Sequence, residues 1–176
     1  MPNSKRAQTR TFRIDPTLLS VLDSEAEEQG ITSSSLINQI LKKYALVGRF
    51  EEKDEVINIS HDAMEMMVEQ LTEDELLKVG SRAGAELSSS YFYMMDKKDV
   101  DSVISFMNLQ LGKYNNWYQL HSSSENRHYT LLLSHQLELK WSLWLQGLMN
   151  TFLRNLLNVE VNSEALENSV IIKFTL

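Results

Sequence analysis

The chain has 176 residues, 43% of them apolar and 23% charged, the balance of a soluble globular protein of one ordinary or two small domains. It has no cysteine, which excludes a disulfide framework, a zinc ribbon, an iron–sulfur cluster and a thiol nucleophile, and fits a reducing, cytoplasmic compartment. The net charge of −7 argues against a nucleic-acid-binding surface over the whole molecule, but it is unevenly spread. Residues 1–50 carry seven basic and five acidic side chains, net +2, and the remainder is at −9. The first fourteen residues hold Lys5, Arg6, Arg10 and Arg13 and no acid. A basic arm ahead of an acidic body reads as a polyanion-binding end joined to something else; the alternative is a solvated basic tail.

The opening MPNSKRAQTR lacks the apolar core of a signal peptide. The most apolar stretch, residues 143–157, is interrupted by Gln146, Asn150, Arg154 and Asn155, so it predicts a buried helix, and no membrane partner is expected.

In chain order, residues 9–14 (TRTFRI) alternate and favour β structure, predicting one short strand. Asp15-Pro16 then starts a helix, because Asp caps free N–H groups and Pro at the first helical position loses no hydrogen bond. Leu18, Leu19, Leu22 and Ala26 make its apolar stripe, and Gly30 ends it. Thr32 caps a second helix, with Ile31 and Leu36 placed for a hydrophobic staple and Leu36, Ile37, Ile40, Leu41 and Tyr44 as its stripe, fading near Val47-Gly48. One strand and two short helices make too small a core to stand alone, so the unit requires its second strand from another copy of the chain.

Residues 49–55 (RFEEKDE) form the expected linker, and residues 56–59 a short strand. Ser60 caps a helix through about Gln70. Thr72 with Glu75 is a capping box opening a long helix through about Tyr93, on which Gly80 and Gly84 share one face and permit close packing. Residues 98–111 read as a further helix. Residues 117–121 and 128–135 read as strands joined by the turn-rich SSSEN segment. Residues 136–157 carry the strongest helical pattern, with Leu137, Trp141, Trp144, Leu145, Leu148, Phe152 and Leu156 on one face. Residues 159–162 and 169–175 close the chain as a hairpin. The expected class is α+β: a small dimerising unit over residues 1–48, then helices packed on a four-stranded antiparallel sheet over residues 56–176.

The alternating basic strand, the Asp-Pro helix start, the Gly30-Ile31-Thr32 turn and the apolar second helix together resemble the ribbon–helix–helix family of MetJ, Arc and CopG type over residues 8–48. The resemblance implies an intertwined homodimer whose paired strands enter the major groove of double-stranded DNA. Alternation puts Phe12 and Ile14 on the core side and Thr9, Thr11 and Arg13 toward base edges, where Arg13 is suited to guanine. The family pattern places the phosphate grip at the start of the second helix, here Thr32, Ser33 and Ser34. Many members carry a basic side chain there. Ser-Ser-Ser puts more of the grip on Lys5, Arg6 and Arg10.

The stretch GSRAGAELSSSYF, the long helix at residues 135–157 and the closing hairpin VEV…ENSVIIKF are similar to the vinyl-reductase-type small-molecule-binding domain, whose fold is shared with haem-based nitric oxide sensors and a vesicle-tethering subunit. That resemblance implies an apolar pocket between helices and sheet, with Phe92, Tyr93, Trp117, Tyr118, Trp141 and Trp144 as its lining; the alternative is that these rings are ordinary core. Family members often carry a Cys between their last strands. Glu167-Asn168-Ser169 stands there instead, which removes any Cys-dependent metal or redox role.

His121, His128 and His135 recur every seven residues, an odd spacing that puts His128 and His135 on opposite faces of a strand. A hairpin still brings His121 near His128; a cap on the following helix is the other reading for His135. No metal or cofactor is expected. The carboxylate pairs fall in linker or first-turn positions, and no P-loop, dinucleotide fingerprint, nucleophile elbow or HExxH is present, so an enzyme is not expected. The expectation is a dimeric, sequence-specific transcription regulator of a bacterium or archaeon, with dimers able to pair and a C-terminal domain that binds a small apolar ligand or mediates assembly. The alternative is an interaction protein in which the front end only dimerises and the back end tethers a protein partner.

Overall fold

The structure, a computed structural model of the single chain, describes residues 8–49, 59–94, 97 and 99–176. The chain divides into two units, Met1–Gly48 and Arg49–Leu176.

In the first unit the Asp15 carboxylate accepts the Thr17 amide at 2.8 Å and α1 runs Pro16–Glu28. Hydrogen bonds from Thr17 hold the Asp15 carboxyl below the usual carboxylate range. At its far end the Ile31 amide donates to the Ala26 carbonyl at 2.9 Å and the Gly30 amide to Glu27 at 3.0 Å. Gly30 sits at φ +65°, the left-handed conformation this closing motif requires. The Thr32 hydroxyl accepts the Ser35 amide at 3.2 Å and starts α2, Ser33–Lys43, which continues as a π-helical turn, Tyr44–Gly48.

The strand expected over residues 9–14 is absent. Residues 8–15 have no regular secondary structure, and the first element is α1. A strand exists only as part of a hydrogen-bonded ladder, and a single copy of this unit offers no second strand. The apolar stripes are only partly covered. Ala26, Leu36 and Val47 are the buried apolar residues among the described part of the unit, whereas Phe12, Leu18, Val21, Ile40 and Leu41 stand exposed.

In the second unit Ser60 caps α3, His61–Val68, accepting the Ala63 amide at 3.3 Å. The Thr72 amide and hydroxyl donate to Glu75 at 2.9 and 2.7 Å, the expected capping box, and open α4, Glu73–Met94. Asp99 caps α5, Val100–Phe106, which continues as a π-helical segment, Met107–Tyr114. Most of the expected linker and of the strand at residues 56–59 lies outside the described residues; Ile59 itself is exposed and in no strand.

Two hairpins build one antiparallel sheet in the order β1-β2-β4-β3: β1 Gln119–Glu125, β2 His128–Ser134, β3 Val161–Leu166 and β4 Ser169–Thr175. The first turn is Asn126-Arg127, both at positive φ, the two-residue geometry whose twist matches a hairpin. The serines expected in that turn are strand instead: Ser122, Ser123 and Ser124 pair with Leu131, Thr130 and Tyr129. Polar side chains marked them as turn, but they lie on an edge strand, where solvent satisfies them.

The helix α6, Leu139–Leu157, packs against α4 on one side and against β3 and β4 on the other, which is why residues all round it are buried, from Trp141 to Leu156. Contact with α4 is backbone to backbone through Gly80, Gly84 and Gly147. Alternate residues of β2 and β4, Leu131, Leu133, Val170, Ile172 and Phe174, complete the core from the sheet. No described helix is long and apolar enough to cross a membrane.

Candidate functional site

Two places gather the residues singled out by the sequence, one in each unit. In the first unit Thr9, Arg10, Thr11 and Arg13 are all exposed, in the segment immediately before α1. Lys5 and Arg6 lie outside the described residues. At the start of α2, Ser33 and Ser34 occupy the first two helical positions, whose amides have no intrahelical acceptor. The hydroxyl of Thr32 is engaged by the Ser35 amide, which leaves backbone amides and the Ser34 side chain as the polar groups offered outward. Asp23 of α1, which sequence reasoning missed, accepts the Ser33 hydroxyl at 2.5 Å. A carboxylate therefore stands at the start of α2. Only the pairing of the two helices brings residues ten apart together here.

In the second unit Trp117, Trp141 and Trp144 form one cluster. Trp141 and Trp144 stack with centroids 4.5 Å apart, and Trp117 meets both edge-on at 6.2 and 5.5 Å. The Trp141 indole donates to the Trp117 carbonyl at 3.2 Å. Tyr118 is buried and donates to the Met107 carbonyl at 3.1 Å; burial holds its phenol well above the usual range. Of the six expected pocket rings, Phe92 and Tyr93 near the end of α4 are instead exposed. Trp117 and Tyr118 line a cleft of about 350 Å³ together with His61, Asn116, Gln119 and His135. Trp141 borders a neighbouring hollow of about 410 Å³ beside α3, where the Lys140 ammonium donates to the carbonyls of Glu69 and, at 2.9 Å, Leu71 and so ties the end of α3 to α6.

His135 does not cap α6, as the sequence suggested. Its Nε2 lies 2.8 Å from the Ser142 hydroxyl, and its Nδ1 is buried without a hydrogen-bond partner. Burial lowers its pKa to about 4, with the Leu137 backbone pulling weakly the other way. The Ser142 side chain is fully buried, so no substrate reaches its oxygen: the pair joins β2 to α6 and is not a nucleophile with its base. His61 Nε2 lies 3.2 Å from the Asn116 carbonyl across the cleft mouth.

His121 and His128 share the outer face of the sheet but pair with Leu132 and Glu125, four residues apart along the ladder, and His128 Nδ1 lies 2.8 Å from Thr175 Oγ1. Among the described residues no group of three or more His, Cys, Asp or Glu is placed to hold a metal ion.

No protein-family model matches this chain, and no curated protein matches its sequence.

Proposed function

We propose that the protein is a dimeric, sequence-specific DNA-binding regulator that reads the major groove through residues 9–13 and carries a C-terminal ligand-sensing or assembly domain. One observation carries the reading: the first unit joins a well-capped helix pair to an apolar surface that a single copy leaves in water. Leu18 is 60% and Leu41 51% exposed on helices whose own packing buries three apolar residues among those described. Each large aliphatic side chain moved out of water stabilises by about 1.5–3 kcal/mol, so a second copy covering these stripes is the favourable state. In that dimer residues 9–14 of each chain pair as two antiparallel strands, with Phe12 and Ile14 turned to the core and Thr9, Thr11 and Arg13 turned to the groove. The cleft at Trp117, Tyr118 and His135 supports a sensing role for the second unit.

The test is a genomic DNA selection at near-physiological salt with the full-length protein and an Arg13→Ala control. An enriched palindrome that is lost with Arg13→Ala is the expected result. Binding without a motif, or a motif retained in full by the variant, overturns base reading by Arg13.

A further inference from the structure

The sheet has two edges, β1 and β3, and they are treated differently. On β3 the Gln146 amide donates to the Ser163 carbonyl at 2.9 Å and the Arg154 guanidinium to the Val161 carbonyl at 3.4 Å, so side chains of α6 occupy its backbone acceptors. No hydrogen bond from a described side chain reaches the backbone of β1 in this way. Its pairing with β2 is unbroken from Gln119↔Ser134 to Glu125↔His128, so it has no bulge, and it contains neither Pro nor Lys. A bulge, Pro and Lys are usual devices that keep a sheet edge from pairing with another chain, and β1 has none of these three; its one carboxylate, Glu125, stands at its end.

We infer that β1 is an interface between two copies of this chain, pairing antiparallel with its own counterpart so that two four-stranded sheets become one. The sequence of the strand is self-complementary about Ser122. In that register Ser122 meets Ser122, His121 meets Ser123, Leu120 meets Ser124 and Gln119 meets Glu125, with no like charges opposed. Leu120 and Ser124 lie on the same face of the sheet as Tyr129, which is the β2 neighbour of Ser124. A groove of about 310 Å³ opens on that face beside β1, walled by Ile104 and Ser105 on one side and Leu120, Ser124 and Tyr129 on the other. Leu120 of the second copy enters it over the small Ser124 side chain and reaches the Tyr129 ring. A seven-residue edge is a modest interface by itself. Its occupancy rests on the proposed N-terminal dimer, which tethers two second units at high effective concentration.

The absence of native cysteine makes the test direct. Cα atoms facing each other across an antiparallel pair lie about 4.5–5.5 Å apart, within disulfide reach. Full-length Ser122→Cys is oxidised mildly beside Asn162→Cys on the β3 edge, and again with Ser124→Lys added. The expected result is a covalent dimer from Ser122→Cys at least tenfold faster than from Asn162→Cys, slowed to the control rate by Ser124→Lys. Equal rates for the two cysteine variants, or a rate unmoved by Ser124→Lys, overturn the inference and leave the edge to an extended peptide of another protein. DNA binding is read on the same preparations. A chain that binds its operator without cross-linking sinks the β1 interface alone, and one that cross-links without binding DNA sinks the DNA-reading proposal alone.

Discussion

Gly84 of α4 and Leu148 of α6 meet backbone to backbone: a Cβ on Gly84 would lie 2.2 Å from the Leu148 carbonyl oxygen. Gly80 is equally close to the Trp144 carbonyl, at 2.1 Å, and Gly147 from the other helix to Leu77, at 2.4 Å. Three glycines thus set the separation of the two helices, and the obstacle each would meet is main chain, which cannot rotate away. Gly84→Ala is expected to force the helices apart and cost on the order of 3 kcal/mol, read as a lower urea midpoint with an unchanged slope. Val79→Ala, at an exposed position of α4, is the control and is expected to change stability little.

His135 gives the protein an acid-side weakness. Its folded pKa is about 4 against 6.5 for the free side chain, because burial disfavours the imidazolium. The unfolded chain therefore takes up this proton first. The associated stability is fully present above about pH 6.5 and is lost as pH falls through about 4. Allowing for solvent screening of a half-buried ring, the loss is on the order of 1–2 kcal/mol. Thermal unfolding between pH 7 and pH 4 is expected to show a steeper decline for the native chain than for His135→Gln, which keeps a partner for Ser142 without a titrating group.

Asp23 is expected to weaken the proposed DNA contact. It stands beside Ser33 at the start of α2, where phosphate would approach the free amides, and its charge opposes an anion. Asp23→Asn keeps an acceptor for the Ser33 hydroxyl and removes the charge. An affinity rise of about 3–10-fold at low salt, fading as salt is raised, is the expected outcome of a titration against the selected operator. Unchanged affinity would place phosphate elsewhere.

The exposed stripes of the first unit predict a dimer that charge will break. Leu41→Glu puts a carboxylate into the surface that a second copy would cover in the proposed dimer, and burying that charge unpaired is prohibitive. Light scattering at micromolar concentration is expected to show association weakened at least a hundredfold, with operator binding lost in parallel. Leu166→Glu, an equally apolar exposed position on β3 in the other unit, is expected to leave both intact.

The elements of this protein were largely legible because local chemistry decides them. Asp15-Pro16, Gly30, Thr32, Ser60 and the Thr72–Glu75 box each act within a few residues of themselves, and each starts or ends a helix where its own chemistry requires. The alternation of β2 and β4 and the apolar length of α6 likewise follow from burial on periods of two and 3.6. What lay beyond the sequence is whatever depends on residues distant along the chain. The polarity of Ser122–Ser124 suggested a turn, because an edge strand in contact with water has no compositional mark of its own. The segment before α1 has β-forming residues but no ladder, since no described residue of the chain pairs with it. Asp23 beside Ser33, His135 against Ser142, and Gly84 against Leu148 join residues ten, seven and 64 apart in sequence. Short-range pattern specifies which residues are helical and which faces are apolar. Only packing decides which of those faces meet, which carboxylate comes to stand at a helix start, and which histidine loses its water.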